Sequence, residues 1–461
     1  MSPRGAPGTG PAPRVVVVTA RWGEHHGDAG VVLRLFAGAL VERAEVEVVS
    51  IGTTGPGELS RRIRTGNAEV PAPPQPARPR SHKDGLFVVH EVSGSSADPV
   101  RAGLLRAALI RRPGEGLPEI AGARLADLAG AASPDAAAFV IGLRPDVVVL
   151  GGPEMWWMPA ALRAAAQDPR TEPVDRPVRA LGAAGATGRA GAAEGEDAAG
   201  AVGVTAAAGV EAGRSRAMPR LVSLPLFGTD RAASLSAFQP LWHEVDGVGV
   251  LSASERRHAG TSPTRDLVDL NVAFSVNRSA ADGVLVGMTT FGRCVAVLSG
   301  FPQGTPGSVH APGHDYLRER LGAVAVAEVA HDRWLITDSQ KWFTVPVKPS
   351  RVNLWRLLRH SELVIDLRPQ DVAARETIES LLLGTPVLVP DGSVAAEVAS
   401  ESNGGLWYRD FEELFVAARR VLEDPYLRSG LSSNGQKWAE AAHGRQREFA
   451  DQAARLTFGQ A

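Results

Sequence analysis

Residues Arg14–Ala20 read RVVVVTA, with four valines in succession. A strand with one wet face alternates apolar and polar residues. An unbroken β-branched run belongs instead to a strand covered on both faces, as in a parallel sheet flanked by helices. Similar runs recur as VEVVSIG (Val46–Gly52), GLFVVHEV (Gly85–Val92), RPDVVVLGG (Arg144–Gly152), RLVSLPLFGTD (Arg220–Asp230) and GVGVLSASERR (Gly247–Arg257). After the first strand and its loop, VVLRLFAGALVER places Val32, Leu35, Ala39 and Leu40 at helical spacing. A β-loop-α-β opening of this kind begins a doubly wound domain, so the fold class is α/β.

The second half restarts the pattern. RDLVDLNVAFS reads as a linking strand, and RCVAVLSGFPQGTPGS (Arg293–Ser308) as a strand entering a Gly-rich loop. VAVAEVA and RWLITD follow as strands, RVNLWRLLRH (Arg351–His360) as a helix and SELVIDLRP (Ser361–Pro369) as a strand. A chain of 461 residues exceeds one ordinary core. Two β/α arrays of similar size predict two Rossmann-like domains facing a cleft, over 14–260 and 261–440. Residues 1–13 are Pro/Gly-rich and read as disordered. Segments near 53–85 and 168–218 read as flexible insertions, the second being mostly Ala, Gly and Glu. Residues 441–461 predict a C-terminal helix able to pack back on the first domain.

The net charge of −2 gives no electrostatic case for nucleic acid. The single cysteine, Cys294, excludes an intrachain disulfide and a multi-cysteine zinc site, and fits a reducing compartment. The first residues, MSPRGAPGTGPAPR, lack a signal-peptide apolar core, and no apolar run approaches the roughly 18 to 20 residues of a spanning helix. The expectation is a cytoplasmic protein without a transmembrane segment.

Asp371–Pro390, DVAARETIESLLLGTPVLVP, combines a loop, a helix, a Gly-Thr-Pro turn and a buried strand. Such a unit can set a helix N-terminus against an anion at the open edge of a parallel sheet. Around it stand SELVIDL, AAEVAS, SNGGLWY and RRVLEDPYLRSGL. In order and spacing these elements, over 361–442, resemble the C-terminal half of glycosyltransferase family 4, retaining transferases of the GT-B fold with an E-x7-E motif. The N-terminal half resembles the family at fold level.

The resemblance implies a nucleotide-sugar donor, with Glu379 accepting hydrogen bonds from ribose hydroxyls and Asp371, where the family has Glu, facing the donor sugar. An ionised carboxylate only accepts, which suits a vicinal diol. The alternative for Glu379 is a helix position facing solvent. The family's GR…KG bases, which hold the donor diphosphate, have no counterpart in SGFPQGTPGS, so phosphate charge must be met elsewhere. Arg375 offers a planar fork for phosphate or else a surface ion pair with Asp371 or Glu376. Arg351, Lys341 and Lys348 are further basic candidates. Backbone amides over Ala374–Thr377 would face the diphosphate, Glu376 reads as an ordinary helix-start acid, and Gly300 joins the donor loop.

The loop WGEHHGDAG follows the first strand and lies on the cleft by the rule for open α/β sheets. Gly27 allows close backbone approach, while His25, His26 and Asp28 would orient acceptor hydroxyls or stabilise a leaving phosphate, or else stand in a surface loop. Glu154 sits on another cleft-edge loop. Trp156 and Trp157 beside it would stack on a sugar, touch a lipid surface at the membrane periphery, or pack at a domain seam. Asn403, Gly404 and Gly405 read as a turn with positive φ, and Leu406, Trp407 and Tyr408 as core. No D-x-D motif is present, so neither metal nor other cofactor is expected. The function implied is a retaining hexosyltransferase with an unknown acceptor. The rival readings are a non-catalytic binding scaffold and a sugar-nucleotide epimerase, which shares the fold.

Overall fold

The computed structural model describes residues 11–19, 22, 28–52, 79–93, 134–152, 155, 158–169, 171, 174, 218–226, 244–259, 266–272, 274–283, 294–298, 319–321, 325–329, 334–337, 350–368, 372–443 and 446–459. The first sheet contains β1 (Arg14–Thr19), β2 (Glu45–Gly52), β3 (Arg80–Asp84), β4 (Phe87–Ser93), β5 (Val147–Gly151), β6 (Arg220–Leu224), β7 (Gly247–Val250) and β8 (Asp266–Asp269). Its order is β3-β4-β2-β1-β5-β6-β7-β8, parallel throughout except for the β3–β4 pair. The second contains β9 (Cys294–Leu298), β10 (Ala325–Val329), β11 (Trp334–Thr337), β12 (Leu363–Asp366), β13 (Val387–Pro390) and β14 (Gly405–Tyr408). Its order is β11-β10-β9-β12-β13-β14, and only β10–β11 is antiparallel.

The valine run of β1 is buried along its whole length. Val15 and Val17 enter one apolar layer with α1 (Asp28–Leu40), while Val16 and Val18 enter the opposite layer with α2 (Pro134–Gly142) and α3 (Met158–Gln167). β9 repeats the arrangement. Cys294, Ala296 and Leu298 face the layer that holds α6 (Arg351–His360), α7 (Arg375–Leu382) and α8 (Val394–Ser402), whereas Val295 and Val297 face α9 (Phe411–Glu423). Among the described residues, no helix is long and apolar enough to cross a membrane.

Two short helices, α4 (Ala253–Ala259) and α5 (Arg278–Ala281), complete the middle of the chain, and α10 (Pro425–His443) and α11 (Gln446–Phe458) its end. The last helix leaves the second half and lies on the first sheet. Its fully buried Leu456 fits against β7 because Gly249 has no side chain: a Cβ there would stand 2.6 Å from Leu456 Cδ2. Polar bonds hold the seam, with Arg43 Nη2 donating to Asp451 Oδ1 at 2.7 Å and Asn271 N to Gln452 Oε1 at 2.9 Å.

Two elements differ from the sequence expectation. β3 falls inside the segment read as an insertion. Its sequence RSHKD has no apolar alternation, and as the edge strand of the sheet it needs none. β8, read as a link at the head of the second half, pairs with β7 and closes the first sheet, because Val268 and Leu270 are needed in its core.

Helix α10 supports α7 through a glycine. A Cβ at Gly435 would meet Leu381 Cδ2 at 2.6 Å, whereas one at Gly430 meets nothing within 4 Å. Gly430→Ala should therefore gain about 0.5–1 kcal/mol from helix propensity. Gly435→Ala should lose about 1–3 kcal/mol, because overpacking outweighs that gain. Urea melts of the two variants check this, and a stabilised Gly435→Ala would contradict the packing.

Candidate donor site at the start of α7

Helix α7 is the buried helix of the stretch 371–390. Every residue from Glu376 to Leu382 is buried, so its polar groups must find partners inside the protein. At its C-terminal end Gly384 takes φ +79, and the chain turns into β13. The Ser380 hydroxyl donates to Thr385 O at 3.0 Å, and that of Thr385 to Leu358 O at 2.7 Å. Arg278 and Arg359 donate to the last carbonyls, Leu382 O at 2.9 Å and Leu383 O at 2.7 Å, where cations favour a helix dipole.

At the N-terminal end Ala374 is left-handed, at φ 50, and offers no side-chain cap. Asp28, the first residue of α1, supplies the anion from the other half: its Oδ2 accepts from Arg375 N at 3.2 Å. The reverse contact also exists. Glu397 of α8 accepts from Ala253 N at 2.9 Å and Ser254 N at 3.2 Å, at the start of α4. Each half thus places a carboxylate on a helix N-terminus of the other.

Between these ends runs a chain of alternating charges. Arg368, just beyond β12, grips Asp366 through Nε at 2.9 Å and Nη2 at 2.7 Å, and reaches Glu376 Oε2 with Nη1 at 2.9 Å. Arg351, the first residue of α6, donates through Nη1 to Glu376 Oε1 and through Nε to Glu379 Oε1 at 2.9 Å, while its Nη2 lies against Glu379 Oε2. Arg375 Nε also donates to Glu379 Oε1, at 3.1 Å, and its guanidinium carbon lies 5.7 Å from the centre of the Phe274 ring. Glu379 and Asp366 are 0% and 1% exposed.

Burial pushes Glu379 up from its ordinary 4.5 to about 7, with Arg351 and Arg375 pulling down and Glu376 adding to the rise. Burial opposes ionisation of Glu376 as well. There the charges of Arg368 and Arg351 prevail, and the carboxyl is held well below the usual carboxylate range. Burial pulls Arg351 down, but Glu376 and Glu379 together raise it above its ordinary value.

Several sequence expectations change here. Glu376 is not an ordinary helix-start acid but a buried bridge between two arginines. Glu379 does not face solvent, and Arg375 pairs with it rather than with Glu376. Arg351, one of the lesser basic candidates, is the hub of the cluster. The Thr377 hydroxyl, 1% exposed, has no hydrogen-bond partner among the described residues. Asn403 has positive φ, but Trp407 is 45% exposed rather than core because it sits on the edge strand β14. His25, His26, Gly27, Glu154, Trp156, Trp157, Gly300, Lys341, Lys348 and Asp371 lie outside the described residues.

Arg368 was missed in the sequence. The signal available was its place at the carboxyl end of SELVIDL, on the same sheet edge as the start of α7.

Removing one partner from a buried ion cluster strands the others, at about 3–5 kcal/mol. Arg351→Met should lose that much stability in urea melts, and a loss below about 1 kcal/mol would contradict the cluster's role. The pH dependence has a defined sign. The native state holds the Glu379 proton more tightly than the unfolded chain, so its contribution is full below pH 4.5 and is lost as pH rises through about 7. Glu376 acts oppositely, contributing above the ordinary range and losing that contribution in acid. Glu379→Gln should abolish its share of the decline in unfolding free energy between about pH 5 and about pH 8. An unaltered decline in the variant would be the contrary result.

No family model matches the chain, and no curated protein matches it. Solved structures do. A trehalose-6-phosphate structure from E. coli bound with UDP-2-fluoro glucose aligns at TM-score 0.59 and 13% identity, covering 96% of this chain and 99% of that one. An α,α-trehalose-phosphate synthase (UDP-forming) from Burkholderia vietnamiensis gives 0.57 and 12%, over 96% and 99%. Sucrose-phosphate synthase from Thermosynechococcus elongatus gives 0.50 and 12%, over 96% and 98%. At these identities the likeness is one of fold: two Rossmann-like units in the GT-B arrangement.

Proposed function

We propose that this chain is a retaining glycosyltransferase, of the family 4 type, that moves a hexosyl unit from a nucleotide diphosphate sugar to an acceptor. The carrying observation is the oxygen of Asp28 on the Arg375 amide: the start of α7 opens toward the other half and takes an anionic oxygen there. The solved structures of the same fold include one bound with UDP-2-fluoro glucose and one named as UDP-forming.

In this reading the amides of Ala374–Thr377 and the guanidinium of Arg375 take the diphosphate, with Asp28 yielding its place. Gly300 lets the opposite loop approach it. Arg375 leaves Glu379 for the diphosphate, and the carboxylate it uncovers takes the ribose hydroxyls, while Glu376 and Thr377 stand in the same helix turn and Asp371 meets the donor sugar. The bond from the anomeric carbon to the diphosphate oxygen breaks while the acceptor oxygen bonds to the same face, and the acceptor proton passes to the departing phosphate. His25 and His26 stabilise the charge that grows on that phosphate. Gly27, Asp28, Glu154 and Trp156 line the acceptor side. With no D-x-D motif in the sequence, the reading assigns the diphosphate charge to these groups rather than to a metal.

A charged hydrogen bond is worth about 1.5–3 kcal/mol, and each 1.4 kcal/mol is tenfold in affinity. Glu379→Gln should therefore weaken UDP-glucose binding by about tenfold or more in calorimetry. An unchanged affinity in the variant would remove Glu379 from the donor site.

A non-catalytic binding protein on the same scaffold is the second reading. It is favoured by the balance of the cluster, where three arginines meet three carboxylates and leave no surplus positive charge. Thermal shift with UDP, GDP and ADP sugars, followed by donor turnover, separates the two.

A further inference from the structure

Glu379 alone would need one cation. The structure supplies two, Arg351 and Arg375, and then divides the first between Glu379 and Glu376. Arg351 is placed by α6, whose first residue it is and whose N-cap, Ser350, accepts from Asn353 N at 3.2 Å. Glu376 is held on its far side by Arg368, which is in turn anchored on Asp366 at the end of β12. Two separate elements, α6 and the end of β12, therefore converge on the carboxylate of Glu376, although it sits one turn away from Glu379.

We propose, resting on the donor-site reading above, that Glu376 is a positioning residue for nucleotide-sugar binding: by competing for Arg351 it sets how much positive charge, and in what orientation, reaches the ribose-binding carboxylate of Glu379. With Glu376 present, Arg351 is shared and the like charge of Glu376 stands close by. Glu379 then hovers between its protonated and ionised forms near neutrality. The ionised form offers a charged acceptor oxygen to each hydroxyl of a diol, whereas the protonated form turns one oxygen into a neutral donor and accepts more weakly. Donor affinity consequently rises with pH through the neutral range.

The other charged groups around α7 do not supply this control. Asp28 stands at the N-terminal amide of Arg375, and Arg278 and Arg359 at the carbonyls of the opposite end. Glu440 of α10 is taken by Arg278, and Glu397 of α8 faces the start of α4. Arg368 is bonded to Glu376 and Asp366.

The test is calorimetric titration of UDP-glucose from about pH 5.5 to about pH 8.5 with wild type, Glu376→Gln and Glu376→Asp. The phosphates of this probe keep their charge over that range, so the profile reports the protein. Wild type should bind more tightly as pH rises, with a midpoint near neutrality. E376Q frees Arg351 for Glu379 and removes the like charge, so its midpoint should fall by about half a pH unit or more while binding at the alkaline end persists. E376D, whose shorter side chain retreats from Arg351, should fall between the two. If E376Q does not fold, E376D against wild type carries the comparison.

A wild-type midpoint in both variants, or a uniform weakening at every pH, would overturn the positioning role while leaving the donor site standing. Absence of UDP-glucose binding by folded wild type at any pH would overturn the donor-site reading for this donor, and the inference with it.

Discussion

A carboxyl group with no exposure to water either takes up a proton or stays ionised beside cations. Glu379 is such a group, and the second half of the molecule is arranged to answer it. Arg351 comes from α6, Arg375 from α7 itself, and Arg368 from the end of β12 secures the neighbouring Glu376. Such clusters rarely add stability over an apolar core of the same shape. What this one does structurally is to fix three elements, α6, α7 and the end of β12, in register.

The same helix joins the two halves. Its dipole is answered by Asp28 at one end and by Arg278 and Arg359 at the other. Glu397 returns the favour to α4. Both carboxylates lie on sheet edges where strands end, the location at which open α/β sheets bind ligands. A contact of one carboxylate with one or two amides is weak enough to be exchanged for a ligand's oxygens, whereas Leu456 in the groove left by Gly249 is a packed seam. The C-terminal helix is thus the packed part of the junction, and the two carboxylate contacts are its polar part.

Much of this was readable in the chain because burial on both faces leaves a mark in sequence. RVVVVTA and RPDVVVLGG could be little else than central strands, and both are. β3 left no such mark, since RSHKD at a sheet edge has no core face to pattern. β8 was visible as a strand, but its sheet was not, because a four-residue strand does not name its neighbour. Around α7, motif order singled out Glu379, which is fully buried, and the turn of Gly384, which has positive φ. It did not show that Glu376 is buried, since a helix position three residues before an acid reads the same on a wet face as on a dry one. The partner that decides the matter, Arg351, lies 25 positions away in sequence.

The central claim is that the first turn of α7 receives the diphosphate of a nucleotide sugar. Hydrogen–deuterium exchange of the segment 372–383, with and without saturating UDP-glucose, tests it most directly. The account predicts slower exchange of the amides from Arg375 to Thr377 on binding, with the end of the segment unaltered because its amides already donate within the helix, as Leu383 N does to Glu379 O at 3.1 Å. Binding that leaves those first-turn amides exchanging at their unliganded rate would contradict it.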